Sequence, residues 1–194
     1  MSLSIHVCPW WLAQALDNPI RRLIHSPDKI LGGYIWPGQT VLDLGCGSGT
    51  FTIAMARMVG EAGRVIAVDV QEEMLQVVKQ KAVKEGLSSR ITTHKSKPDG
   101  IGISDKVDFA LAFYMIHEVP DVGAFLMEAA SLLKPSGRLL IAEPQIHVSE
   151  SSFKKTVDAA GLAGLKPVSE PKIRFSRSML FKLENAIDSR NDLA

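Results

Sequence analysis

The stretch VLDLGCGSGTFTIA, residues 41–54, constrains the fold more than any other part of the chain. A short apolar run ends in Gly45, Gly47 and Gly49, and the chain leaves them in a helical pattern. A strand, a tight glycine turn and a helix in that order open a βα unit of an α/β sheet. Such a turn commonly grips a nucleotide-like ligand on its backbone amides.

The rest of the chain repeats the unit. Strand character recurs in RVIAVDV (64–70), RITTHKS (90–96), VDFALAFYMI (107–116) and GRLLIAEP (137–144). Helical patterns fall between them, at GTFTIAMARMVG (49–60), EEMLQVVKQKAVKEG (72–86), 122–133 and SESSFKKTVDAAG (149–161), the last capped by Ser149 or Ser151. LKPVSEPKIRFS and SMLFKLEN suit a strand pair at the sheet edge. SPDKILGGYI reads as a helix with Ser26 as its N-cap, preceded by one or two short helices in PWWLAQALDNPIRRLI. Strands alternating with helices predict an α/β domain with a mostly parallel sheet covered on both faces. Ligands in such sheets sit beyond the carboxyl ends of the strands. A chain of 194 residues makes one such domain, here divided into an N-terminal helical lid over 1–35 and a cofactor-binding body over 36–194.

Composition narrows the partners. Lys and Arg number 22 against 21 Asp and Glu, a balance that argues against a polyanion or membrane-surface binder. The longest apolar run, FALAFYMI, is far too short to span a bilayer. Cys8 and Cys46 read as reduced thiols, and no basic start leads into an apolar run at the N-terminus, so the expectation is a cytoplasmic protein.

Charge bears on which cofactor the turn holds. The dinucleotide fingerprint asks for glycine where this chain has Thr50. Asp69 ends the second strand, where an acid accepts bonds from ribose hydroxyls in dinucleotide and sulfonium cofactors alike. Asp43, two residues before Gly45, differs: it would repel a pyrophosphate beside the turn by roughly 4 kcal/mol for unit charges about 4 Å apart at an effective dielectric near 20. It would attract a ligand carrying an ammonium and a sulfonium, such as S-adenosylmethionine (SAM).

Together VLDLGCGSGTFT, VIAVDVQEEML and LLKPSGRLLIAEP resemble the class I SAM-dependent methyltransferases, and among them the small-molecule branch that includes the ubiquinone and menaquinone C-methyltransferases. The resemblance covers about residues 38–145. It implies a three-layer Rossmann-like fold whose seven-stranded, mostly parallel sheet has an antiparallel last strand. It further implies that Asp43 and the turn Gly45-Cys46-Gly47-Ser48-Gly49 hold the methionyl end, that Asp69 holds the ribose, and that Gln71 and Met74 flank the adenine, with Val70 also among the cofactor-binding residues. Relatives carry Gly-Asp-Ala after the third strand; here the stretch is HKSKPDG, so Asp99 or the backbone near Ser96 and Lys97 takes the adenine contact.

The methyl acceptor should approach AFYMIHEVPD (112–121). His117 is the candidate base, being the side chain that titrates nearest neutrality. Glu118 could orient it or bind the acceptor, and Tyr114 could offer a hydroxyl or an aromatic face to the sulfonium. The plainer alternative has His117 capping the next helix and Glu118 in solvent. Glu143 belongs at the same pocket and His147 to the loop beside it. Trp10 and Trp11 either stack on a flat acceptor or anchor their helix to the core. No spacing among His6, Cys8, His25 and His117 makes a metal site. The expectation is a SAM-dependent methyltransferase acting on a small molecule; the alternatives are a non-catalytic SAM-binding module or an RNA or protein methyltransferase. An NAD-dependent oxidoreductase is disfavoured by Asp43 and Thr50.

Overall fold

A computed structural model describes residues 25–184. Cys8, Trp10, Trp11 and the expected helices before residue 25 lie outside the described residues. Seven strands form one sheet: β1 (Thr40–Leu44), β2 (Arg64–Asp69), β3 (Ile91–Lys95), β4 (Val107–Phe113), β5 (Leu133–Pro144), β6 (Leu165–Ser169) and β7 (Ser176–Leu183), in the order β3-β2-β1-β4-β5-β7-β6. All pairs are parallel except β5–β7 and β6–β7, so β7 is the antiparallel strand and β6 forms the edge. The helices are α1 (Pro27–Leu31), α2 (Thr50–Met58), α3 (Glu72–Lys84), α4 (Val122–Leu132) and α5 (Glu150–Leu162).

Strand alternation sorts the core into two layers. Leu42, Leu44, Ala110, Ala112 and Ile141 pack beneath α4 and α5 with Phe125, Leu126 and Ala160. Val41, Phe109, Leu111 and Leu140 face the other way, against Leu31 of α1, Ile53 and Met55 of α2 and Val59 just after it. Asp43 shares the parity of Val41, so its carboxylate emerges under α2.

Ser26 stands at the N-cap of α1 as expected, and two strand boundaries differ from expectation. Ser26 precedes α1 without a side-chain cap bond, and the first turn relies on Pro27. β5 begins at Leu133, not 137; Leu133 pairs with Val107 and an irregularity follows before Arg138 meets Phe109. β4 ends at Phe113, three residues before its apolar run does. Tyr114 turns the chain with φ 61°, and its N–H still reaches the Ala142 carbonyl at 2.7 Å. The next two amides, of Met115 and Ile116, leave the ladder and donate to the Glu143 carboxylate at 3.2 and 2.9 Å. A carboxylate on the neighbouring strand thus stops β4 and starts a 3-10 turn over Ile116–Glu118.

Candidate active site

The glycine turn lies between β1 and α2 at the carboxyl rim of the sheet. Its first and last glycines serve packing as well as conformation. A Cβ on Gly45 (φ 64°) would come within 2.8 Å of Met115 Cβ, and one on Gly49 would meet Val78 at 2.8 Å. Gly47 is different: its φ of 50° also disfavours a side chain, but a Cβ there would find nothing within 4 Å. The open space borders Gly47, so this is where a ligand can come against the backbone.

Asp69 ties the turn to α3. One carboxylate oxygen accepts the Gly47 N–H at 2.9 Å and the other the Gln71 N–H at 2.9 Å, with the Val70 amide also turned towards it. The carboxylate keeps acceptor capacity for a ribose hydroxyl beyond these amides. Burial raises its pKa, against the lowering by those amides. Asp43 is 2% exposed and accepts the Thr52 hydroxyl at 2.5 Å. Burial pushes its pKa up to about 7, with the nearby Asp69 charge adding to the rise and the Thr52 bond opposing it. A cation arriving at the turn favours the ionised form of Asp43. Thr52 was not singled out from the sequence; its spacing to Asp43, nine residues across a turn, carries no signal until strand parity is known.

The other cofactor-side residues are placed as follows. Cys46 packs its side chain with Ala67, Leu75 and Val78 beneath the turn, and burial first, then Asp43 and Asp69, push its thiol pKa well up. It is a packing residue here, with its backbone in the turn. Gln71 is the residue before α3, and Met74, in the first turn of α3, is 1% exposed. Ser96 N–H donates to the Asp69 carbonyl at 3.0 Å, so the residue after β3 is held beside the second strand's end. Lys97 closes a tight turn with Gly100, and Asp99 stands exposed in it. These residues fit SAM: an open edge at Gly47, remaining acceptor capacity on Asp69 and a second carboxylate under the turn.

Across the rim, His117 meets Glu143. The Glu143 side chain is 1% exposed and its charge is held by three donors: the two backbone amides that end β4, on Oε1, and His117 Nδ1 on Oε2. The carboxylate fixes the tautomer, so Nδ1 carries the proton and Nε2 keeps its lone pair. The Glu143 hydrogen bond raises the His117 pKa most, burial opposes it, and the charges of Glu143 and Glu118 add to it. Glu118 Oε1 lies 4.0 Å from Nε2, beyond hydrogen-bond reach. His117 does not cap α4; Asp121 does, accepting the Ala124 N–H at 2.9 Å. The His147 ring lies nearly parallel to that of His117, centroids 6.3 Å apart. Tyr114 is drawn elsewhere: its hydroxyl is 2.6 Å from Ser176 Oγ and 3.2 Å from His25 Nε2, and its ring stacks on Phe113. That hydroxyl is committed within the protein, whereas the sequence left it available to a ligand. Among the described residues no cluster of His, Cys, Asp or Glu could hold a metal ion, and no helix is long and apolar enough to cross a membrane.

Comparison with known proteins agrees with this geometry. A methyltransferase domain family model matches residues 35–172. The ubiquinone/menaquinone biosynthesis C-methyltransferase UbiE of Klebsiella pneumoniae is 31% identical over 134 residues, 69% of this chain and 53% of that protein. UbiE of Vibrio vulnificus is 34% identical over 108 residues, 55% of this chain and 42% of its own length. The chain thus spans about half the length of the curated relatives it matches. A crystal structure of a SAM-dependent methyltransferase from Aquifex aeolicus superposes with TM-score 0.82 at 28% identity, covering 91% of this chain and all of that one. Aeropyrum pernix fibrillarin, crystallised with natively bound SAM, shares the fold at TM-score 0.60 and 17% identity, covering 76% of this chain and 68% of its own. The chain belongs to the methyltransferase domain family.

Proposed function

We propose that this protein is a cytoplasmic methyltransferase that transfers a methyl group from SAM to a small-molecule acceptor, with His117 as the proton acceptor. One observation carries the reading. Met115 packs against Gly45 of the cofactor turn, and two residues later His117 is locked by Glu143 with Nε2 free to take a proton. The methyl-donor edge and the base are thereby joined by a three-residue segment.

SAM supplies an electrophilic methyl group on a sulfonium. The chain's own residues do the rest. Asp69 accepts from the ribose hydroxyls, while Asp43 and the backbone of residues 45–49 receive the methionyl end. Gln71, Met74 and the backbone of Ser96 and Lys97 border the adenine. At the acceptor, His117 Nε2 takes the proton as the nucleophile forms its bond, and Glu143 and Glu118 stabilise the resulting imidazolium. The relatives named as C-methyltransferases make carbon the first acceptor atom to examine.

The test is a panel of small-molecule acceptors incubated with SAM and the purified protein, with S-adenosylhomocysteine release as readout. Turnover in the wild type that His117→Ala loses supports the reading. Equal turnover in that variant overturns the assignment of the base.

A further inference from the structure

A cleft of about 320 Å³ opens beside His117 on the face covered by α5. Its volume is at the small end for ligand sites, which suits a compact molecule. The cleft has two kinds of lining. Ile116, Val122 and Val148 give it apolar surface, while His147 and, from α5, Ser152 and Lys155 give it polar groups. Ser152 and Lys155 are three residues apart on α5 and so share one face of the helix.

The polar lining groups differ in how far other residues occupy them. Lys154 spends its charge on Asp158, at 3.0 Å on the same helix. Lys155, the next residue, has no carboxylate partner among the described residues. Ser152 Oγ accepts from Ser149 Oγ at 3.0 Å, which leaves its own proton to donate. The acid in the cleft, Glu143, already has both oxygens taken by His117 and two backbone amides. It therefore presents little unpaired charge to a guest. Glu118 faces His117 Nε2 at 4.0 Å and lies outside the lining.

From these features we infer that the cleft holds the methyl acceptor, and that the acceptor is a small carboxylic acid with an apolar body. Its carboxylate meets Lys155, His147 and the Ser152 hydroxyl. Its apolar part lies along Ile116, Val122 and Val148 and brings the nucleophilic atom to His117. The inference rests on the methyltransferase reading for the word acceptor, but the anion site stands on the cleft alone.

The test uses benzoate as probe, with benzyl alcohol as its neutral counterpart, titrated into the full-length protein while the imidazole resonances of His117 and His147 are followed. S-adenosylhomocysteine is titrated into the same samples. The expected result is saturable benzoate binding that shifts both histidines, weakened at least about tenfold in Lys155→Met, with benzyl alcohol far weaker and S-adenosylhomocysteine affinity unchanged. Two results overturn the inference: benzoate binding that Lys155→Met leaves intact, or no saturable shift at either histidine. Benzoate binding in a protein that fails to take S-adenosylhomocysteine keeps the carboxylate site and removes the methyltransferase reading instead.

Discussion

The two sides of the carboxyl rim are built differently. On the β1–β2 side two of the three partners are close in sequence: Asp69 holds the Gln71 amide two residues on and Asp43 a hydroxyl nine residues on, while the Gly47 amide lies 22 residues from Asp69. On the β4–β5 side they are distant: His117 and Glu143 are 26 residues apart, and Tyr114 reaches across 62 residues to Ser176 and 89 to His25. The first side works largely through backbone, which any sequence with the right glycines can present. The second works through side chains fixed only when β5 and β7 have docked. Cofactor binding and proton handling should therefore be separable by substitution.

The largest expected effect is on the acceptor side. His117→Ala should lower turnover about 10²–10⁴-fold and leave S-adenosylhomocysteine affinity unchanged in a calorimetric titration. Glu143→Gln sharpens the point through pH. The neutral imidazole is the active form, so the wild-type rate should rise with pH through a His117 pKa held above 6.5. Removing the carboxylate should move that rise to lower pH while reducing turnover; a profile that stays in place would break the pairing.

Asp43→Asn separates folding from binding. In the folded, cofactor-free protein Asp43 holds a proton between its unfolded pKa of 3.8 and about 7, where the unfolded chain releases it. Its burial therefore becomes costlier as pH rises through that window, and the cost is complete above pH 7. Asparagine removes the titration and can still accept from Thr52. Thermal unfolding should show the variant more stable than wild type at pH 8, by roughly 2–4 kcal/mol, with the difference fading towards pH 4. Asp69→Ala should weaken S-adenosylhomocysteine binding by about 1.5–3 kcal/mol, with turnover at saturating SAM much less affected.

The smallest effect on stability is expected at Gly47. Alanine there meets no atom, so Gly47→Ala should cost only the left-handed strain of about 1–2 kcal/mol, yet weaken the cofactor because the methyl stands in the open edge. Gly45→Ala, which strikes Met115, should unfold the protein at a lower temperature than Gly47→Ala. Equal melting temperatures would mean that the turn treats its glycines alike.

Legibility in the sequence follows the same division. The strand–turn–helix at 41–54, the acid at the end of β2 and the alternation of strands and helices are local patterns, and the sheet carries them where expected. The end of β4 was not legible, because FALAFYMI is apolar throughout and only the Glu143 carboxylate on a neighbouring strand takes its last amides. His117 could be singled out by its chemistry, but its partner could not, since that depends on the register of β4 against β5. Tyr114 shows the limit most plainly: its position beside the site was readable, whereas its commitment to Ser176 and His25 comes from β7 and from the segment before α1.

The reading turns on the glycine turn and its two carboxylates as a site for SAM. Isothermal titration of the wild type and of Asp69→Ala with S-adenosylhomocysteine, with NAD as a parallel ligand, tests it most directly. Micromolar binding to the wild type, weaker binding to Asp69→Ala and no binding of NAD are expected. Binding of NAD in place of S-adenosylhomocysteine, or equal affinity in the two proteins, would contradict it.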